Sequence, residues 1–218
     1  MSKCYIFSGG EILDYSLVDV SENAYIICAD AGYLHAKKLG IIPNCIIGDF
    51  DTFDGDFPRS IEVIRYKAEK DDTDTMLAVK FALEKGYDNI CIYGALGGRF
   101  DHSMANVQTL QYIYTHGGNG KIVSDNDYIM LQGTGTKTYT RREGYYFSLL
   151  SISDKSDGIT TDGLKYNLEN TTLTSDFPLG VSNQILQEFA TITIRNGLLL
   201  VIFSKDTHKK ILSEYNGV

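Results

Sequence analysis

Tryptophan is absent from this 218-residue sequence, and proline occurs only three times. Any aromatic face offered to a ligand must therefore come from Tyr or Phe, and the scarcity of proline argues against disordered tails, which are usually rich in it. Cations are short as well: 20 Lys and Arg against 28 Asp and Glu leave a formal net charge of -8. That deficit disfavours general nucleic-acid binding, whose affinity comes mainly from Lys and Arg contacts to phosphates. A nucleotide carried on Mg²⁺ stays compatible with it. No apolar run approaches the roughly 18 residues of a membrane span. The segment Met1-Ser2-Lys3-Cys4-Tyr5 leads into the first apolar run without a basic region or a small-residue cleavage site, so a cytoplasmic protein is expected. The four cysteines, Cys4, Cys28, Cys45 and Cys91, form no C-x-x-C pair and all lie in apolar runs. They read as buried reduced thiols, not as a zinc or redox site.

What is present suits a globular chain of one large or two small domains, because 43% hydrophobic and 22% charged content supports a sizeable core. Short apolar, β-rich runs cover 3–8, 24–29, 45–48, 61–65, 89–93 and 121–124. Several are continuous enough to be covered on both faces, as parallel strands are. Helical segments lie between them at 33–39, 73–85 and 103–116, each followed by a glycine, Gly40, Gly86 or Gly117, that suits a left-handed C-cap. Met76, Val79 and Leu83 with Leu77, and Met104, Val107, Leu110 and Tyr114, are the expected buried stripes. Alternating strands and helices imply right-handed crossovers and an N-terminal doubly wound, mostly parallel α/β sheet. After about residue 130, turn-rich segments separate strands at 145–152, 189–194 and 198–203, and Arg195-Asn196-Gly197 carries a hairpin signal. This half reads as a smaller all-β, sandwich-like domain. The expected domains are 1–132 and 137–218, joined where two glycines and two threonines interrupt the apolar pattern.

In open α/β sheets ligands bind beyond the carboxyl ends of the strands, so the residues just after each strand carry the functional information. Asp30 ends one apolar run. Asp49 and Asp51 follow another as Gly48-Asp-Phe-Asp-Thr52, a spacing that lets both carboxylates reach one hard cation while Phe50 turns the other way. Asp71, Asp72 and Asp74 surround a helix start in Lys70-Asp-Asp-Thr-Asp-Thr75, and Asp101 closes Gly97-Gly-Arg-Phe-Asp-His102. Carboxylates gathered at one sheet edge repel one another and are tolerated mainly when a metal ion neutralises them. Plain structural readings stand beside these: Asp30 as a helix cap, the Asp71–Asp74 segment as caps and dipole partners, Arg99 as an ordinary ion-pair partner, and His102 as a helix opener. Neither a Walker P-loop nor a convincing G-x-G-x-x-G motif is present.

Cys28-Ala-Asp-Ala-Gly32, Gly48-Asp-Phe-Asp-Thr52, Lys70-Asp-Asp-Thr-Asp74 and Gly97-Gly-Arg-Phe-Asp-His102, in this order, resemble the catalytic domain of the thiamine pyrophosphokinase family. Gly163-Leu-Lys-Tyr-Asn-Leu168 and Gly180-Val-Ser-Asn183 resemble that family's thiamine-binding β domain. The resemblance implies transfer of a pyrophosphoryl group from ATP to thiamine, giving thiamine diphosphate and AMP, with Mg²⁺ required. It implies a homodimer whose sites lie between the catalytic domain of one subunit and the β domain of the other. It further implies that Asp49, Asp51 and Asp74 hold Mg²⁺ and phosphates, and that Asp30, Lys70, Thr73, Arg99, Asp101 and His102 complete the ATP site. Asp71 or Asp101 would accept the hydroxyl proton, Ser182 and Asn183 would face thiamine, and Tyr166 would supply an aromatic face. Two positions depart from the family pattern: Ala31 stands where Gly is common, and Tyr166 where some members carry Trp, the better partner for a cationic ring.

Two other classes fit parts of the pattern. Asp49-Phe-Asp51 resembles the D-x-D of aspartate phosphatases, but Phe53 stands where those enzymes usually carry Thr or Val. A non-catalytic nucleotide or thiamine sensor would not need so many carboxylates near a triphosphate.

Overall fold

Six strands in the first half of the chain pair side by side in parallel, in a computed structural model that describes residues 3–50, 57–67 and 71–206. The chain divides into two compact units between Asp125 and Asn126. The first unit runs β1 (Lys3–Phe7), β2 (Tyr25–Ala29), α1 (Tyr33–Lys38), β3 (Cys45–Gly48), β4 (Glu62–Arg65), α2 (Asp74–Glu84), β5 (Asn89–Tyr93), α3 (Phe100–Thr115) and β6 (Asn119–Val123). Its strand order is β4-β3-β2-β1-β5-β6, every neighbouring pair parallel. The central strands are buried almost end to end, as the continuous apolar runs require. From β1 the chain steps outward through β2, β3 and β4, then returns to the other side of β1 as β5. The order therefore reverses at β1, which makes its carboxyl end the topological switch point where a crevice opens.

The helices end as the sequence indicates. Gly40, Gly86 and Gly117 all have positive φ, and Ile41, Tyr87 and Gly118 N–H groups reach back to the carbonyls of Ala36, Ala82 and Ile113, which satisfies carbonyls that the helix leaves open. Their buried faces differ from the expected stripes. In α2 the buried set is Thr75, Leu77, Ala78, Val79 and Ala82, and in α3 it is Asn106, Thr109, Leu110 and Ile113. Met104 and Tyr114 are instead among the exposed large side chains. Small residues let each helix approach the sheet closely, so the bulkier Met76 and Leu83 are moved to half-buried flanks.

The second unit is all β: β7 (Asp127–Gln132), β8 (Gly135–Thr140), β9 (Tyr145–Ser151), β10 (Lys155–Asp162), β11 (Thr171–Thr174), β12 (Phe189–Ile194) and β13 (Leu199–Lys205). One antiparallel ladder runs β7-β13-β9 and another β11-β10-β12-β8. Inward residues of both, among them Phe147, Ile159, Ile192, Leu199 and Val201, form one apolar cluster, the arrangement of a sandwich. β7 pairs with β13, and buried Gln132 donates to Ile192 O at 2.9 Å and accepts from Tyr139 Oη at 2.9 Å. The glycine- and threonine-rich stretch after it is thus a β7–β8 connection inside this unit.

Arg195-Asn196-Gly197 is not a hairpin, because β12 pairs with β10 and β8 whereas β13 pairs with β7 and β9. The segment crosses from one ladder to the other. It is held by β10, where Asp157 N–H donates to Asn196 O at 2.8 Å and Asp157 O accepts from Arg195 N–H at 3.1 Å.

All four cysteines are buried free thiols. Burial pushes Cys4 and Cys45 up to about 12 and Cys91 up to about 11, because the apolar sheet penalises the thiolate. A folded-state pKa above the unfolded value of about 8.5 contributes stability at neutral pH and loses it as pH rises through the folded value. The melting temperature is therefore expected to hold from pH 7 to 8 and to fall progressively between pH 9 and 12. Equal melting temperatures at pH 8 and pH 11 would contradict the buried-thiol account. No helix among the described residues is long and apolar enough to cross a membrane.

Candidate active site

At the carboxyl ends of β1, β2 and β5 the first unit opens a cleft of about 590 Å³. Its floor is backbone. Ser8 N–H donates to Tyr93 O and Gly10 N–H to Gly94 O, both at 2.8 Å, which carries the β1–β5 pairing past the strands into the loops. Gly94 has φ +64°, and a Cβ there would lie 2.4 Å from Ser8 O, so only glycine permits this approach. The walls are tied by side chains. Ser8 Oγ and Thr75 Oγ1 share a buried 2.9 Å hydrogen bond, and Asn106 Nδ2 donates to Ala95 O at 2.7 Å. His35 Nε2 lies 2.7 Å from Gly10 O and its Nδ1 2.7 Å from Tyr15 Oη. Since a carbonyl only accepts, Nε2 carries the proton.

The cleft brings together Asp30, Thr73, Asp74, Arg99 and His102 of the residues singled out in the sequence. Asp30 lies at φ +46°, opening a short 3-10 turn. It does not cap α1, whose N-cap is Gly32 with no side-chain bond. Asp49 follows β3 beside it: a Cβ on Gly48 would stand 3.1 Å from the Asp30 Cα and Cβ, so glycine here lets the two acid-bearing loops abut. Phe50 turns inward, with its ring 5.0 Å from that of Phe57 and the Arg65 guanidinium 4.8 Å from its centroid. Asp51 and Lys70 lie outside the described residues.

Thr73 caps α2, its Oγ1 accepting from Met76 N–H at 3.2 Å, and Asp74 occupies the first helical turn. There the macrodipole favours a negative charge. Asp72 lines the cleft with both oxygens held by Lys80 Nζ at 2.8 and 2.7 Å. Asp71 is exposed, and Asp49, Asp71 and Asp101 are not among the cleft-lining residues. Among the described residues no three His, Cys, Asp or Glu side chains are grouped closely enough to hold a metal by themselves.

Arg99 opens α3 and forks onto Asp101, Nε to Oδ1 at 3.1 Å and Nη2 to Oδ2 at 2.5 Å. Asp101 Oδ1 also accepts from His102 N–H at 2.9 Å. The guanidinium hydrogen bonds hold the Asp101 carboxyl below the usual carboxylate range, and Asp101 in turn raises Arg99. Both groups are well exposed, so the pair orients the guanidinium more than it stabilises the fold.

In the second unit Tyr166 is 62% exposed, with Lys165 Nζ 5.3 Å from its ring centroid. Asn183 is buried beside it. Its Nδ2 donates to Tyr166 O at 2.7 Å and its Oδ1 accepts from Tyr166 N–H at 3.1 Å, so the amide clamps the Tyr166 backbone. Ser182 is exposed at φ +61°, its N–H donating to Ser148 Oγ at 3.1 Å.

Ser8, Gly9, Gly10 and Asn106 line the cleft without having been singled out, and Asp72, marked only as one of the acids around a helix start, lines it too. Ser8-Gly9-Gly10 directly follows the apolar run of β1, so the strand-end rule that found the acids would have found it. Asn106 left no comparable signal in a helical stretch.

Two family models match. That of the thiamin pyrophosphokinase catalytic domain covers residues 19–122, and that of the thiamin pyrophosphokinase vitamin B1 binding domain covers 136–199. Thiamine pyrophosphokinase of Bacillus subtilis (strain 168) is 32% identical over 191 residues, 85% of this chain and 89% of that protein. A crystal structure of thiamine pyrophosphokinase from Bacillus subtilis superposes with a TM-score of 0.83 at 28% identity, covering 94% of this chain and 100% of the other. A thiamin pyrophosphokinase family protein from Enterococcus faecalis gives 0.82 at 26%, covering 95% and 100%. With both models matched and a relative aligned over most of its length, the chain belongs to the thiamine pyrophosphokinase family.

Proposed function

We propose that this protein transfers the pyrophosphoryl group of ATP to the hydroxyl of thiamine, releasing AMP. The observation that carries the reading is the switch-point cleft, where Asp30, Asp74 and Arg99 meet on a glycine floor in a chain of this family. The first domain binds ATP, and the second, with Tyr166, Ser182 and Asn183, binds thiamine.

Mg²⁺ suits the donors present. Asp30 and Asp74 offer hard oxygen ligands in the cleft and Asp49 stands next to Asp30, and Mg²⁺ is commonly held by one or two carboxylates together with substrate phosphates and water. Asp49, Asp51 and Asp74 are the proposed ligands. When bound, the ion neutralises phosphate charge and polarises the phosphorus that is attacked.

The protein's own groups do the rest. Asp101 occupies Nε and Nη2 of Arg99, which leaves Nη1 to face the transferring group and stabilise charge developing there. Asp71 or Asp101 accepts the hydroxyl proton. Thr73 fixes the start of α2 and thereby Asp74. His102 and Lys70 complete the ATP site. Thiamine's hydroxyl attacks the β-phosphorus in line and AMP departs.

A homodimer follows from the same reading. Tyr166, Phe177, Leu179, Val181, Leu186 and Phe189 are large apolar side chains exposed on the second unit, as an interface core would be. Each site is then shared between one protomer's cleft and its partner's β domain. Four reduced thiols support a cytoplasmic location.

Tyr166→Ala is expected to raise the thiamine KM about tenfold, the loss of one cation–π contact of ~1 to 2 kcal/mol, while the ATP KM changes little. An unchanged thiamine titration removes Tyr166 from the site. The reaction itself is tested by incubating the protein with ATP, Mg²⁺ and thiamine. Thiamine diphosphate is expected, and its absence would contradict the assignment.

A further inference from the structure

We propose that Asn106 reads the nucleobase: its side-chain carbonyl accepts a hydrogen bond from the exocyclic amine of adenine, which makes the cleft select ATP over GTP. The inference rests on the ATP reading above. Asn106 sits on the sheet-facing side of α3 with only 7% of its surface exposed, yet it lines the cleft. A buried carboxamide is retained where its polar atoms have partners. One partner is visible, since Nδ2 donates to Ala95 O at 2.7 Å. A main-chain carbonyl cannot donate, so this bond also fixes which amide atom is nitrogen. The atom left for a ligand is the acceptor Oδ1.

An acceptor repels phosphate oxygens and matches a donor. Asn106 also lies seven residues beyond Arg99, about 10 Å further along the chain direction at helical rise, away from the phosphate end of the cleft. The Ala95 it bonds follows Gly94, against which Gly10 lies, and these cleft residues carry nothing larger than a methyl group and leave an uncharged surface for a planar ring. Adenine presents an amine donor at its six position. Guanine presents a carbonyl there, which would set acceptor against acceptor and strand both.

The test compares ATP, GTP and purine riboside triphosphate, in which hydrogen replaces the amine, as pyrophosphoryl donors to thiamine. With the unmodified protein, removing the amine is expected to lower kcat/KM about 10- to 100-fold, and GTP is expected to fare no better. Asn106→Ala is expected to use ATP and purine riboside triphosphate about equally. Equal use of the two by the unmodified protein overturns the proposal without needing any variant, as does an Asn106→Ala protein that keeps the full preference for ATP. Should ATP itself yield no AMP, it is the functional reading that fails, and this inference falls with it.

Discussion

Asp74→Asn is expected to lower turnover about 10² to 10³-fold, the scale on which loss of a single preorganised electrostatic group is felt in transition-state stabilisation. Asn keeps the size of the side chain and removes its charge. The helix start survives because Thr73, not Asp74, supplies the cap to Met76 N–H. What the fold loses is a favourable charge at the α2 N-terminus, worth about 0.3 to 1 kcal/mol, and the melting temperature should fall by only a few degrees. The loss in rate is therefore separable from unfolding. An Asp74→Asn protein that forms AMP at a near-normal rate would remove Asp74 from the proposed metal and phosphate site.

Arg99→Lys is expected to lower kcat about 10²-fold with little change in thermal stability. The guanidinium bonds Asp101 through two nitrogens in one plane, and that fork holds the third nitrogen in a defined direction. Lysine offers a single point of charge and cannot both keep the two-point contact and reach a phosphate. Because Arg99 and Asp101 are both largely exposed, their pairing adds little to the folding free energy. Wild-type kcat in Arg99→Lys would show that Arg99 is only a surface ion-pair partner.

The parallel strands and the helix ends were legible in the sequence because each has a local cause: continuous apolar runs covered on both faces, and glycines that take positive φ after the last helical turn. The buried helix faces were less so. Met76 and Leu83 mark a plausible stripe by hydrophobicity, but the sheet selects the small side chains Thr75, Ala78 and Ala82 for close contact. In the second unit β8, Gly135-Thr-Lys-Thr-Tyr-Thr140, and β10, Lys155-Ser-Asp-Gly-Ile-Thr-Thr-Asp162, carry little hydrophobic signal. Their pairing is decided by partners far along the chain. The Arg195-Asn196-Gly197 turn shows the same limit: its residues suit positive φ, but only the tertiary fold decides whether the chain reverses into its own ladder or crosses to the other one.

Within the cleft, charge was the readable part. Asp30, Asp74 and Arg99 stand out against apolar surroundings, and the strand-end rule places them together. The neutral residues that build the floor and hold the walls, Ser8, Gly10, Gly94 and Asn106, act through backbone approach and single hydrogen bonds; the first three are marked only by their place after a strand, and Asn106, inside a helix, leaves no pattern in a linear sequence.

The most direct measurement is a phosphorus NMR time course of the purified protein with ATP, Mg²⁺ and thiamine. AMP and thiamine diphosphate are expected to rise together in equal amounts, with no ADP and no inorganic phosphate released ahead of them. ADP as the nucleotide product, or AMP formation that does not depend on thiamine, would contradict the account.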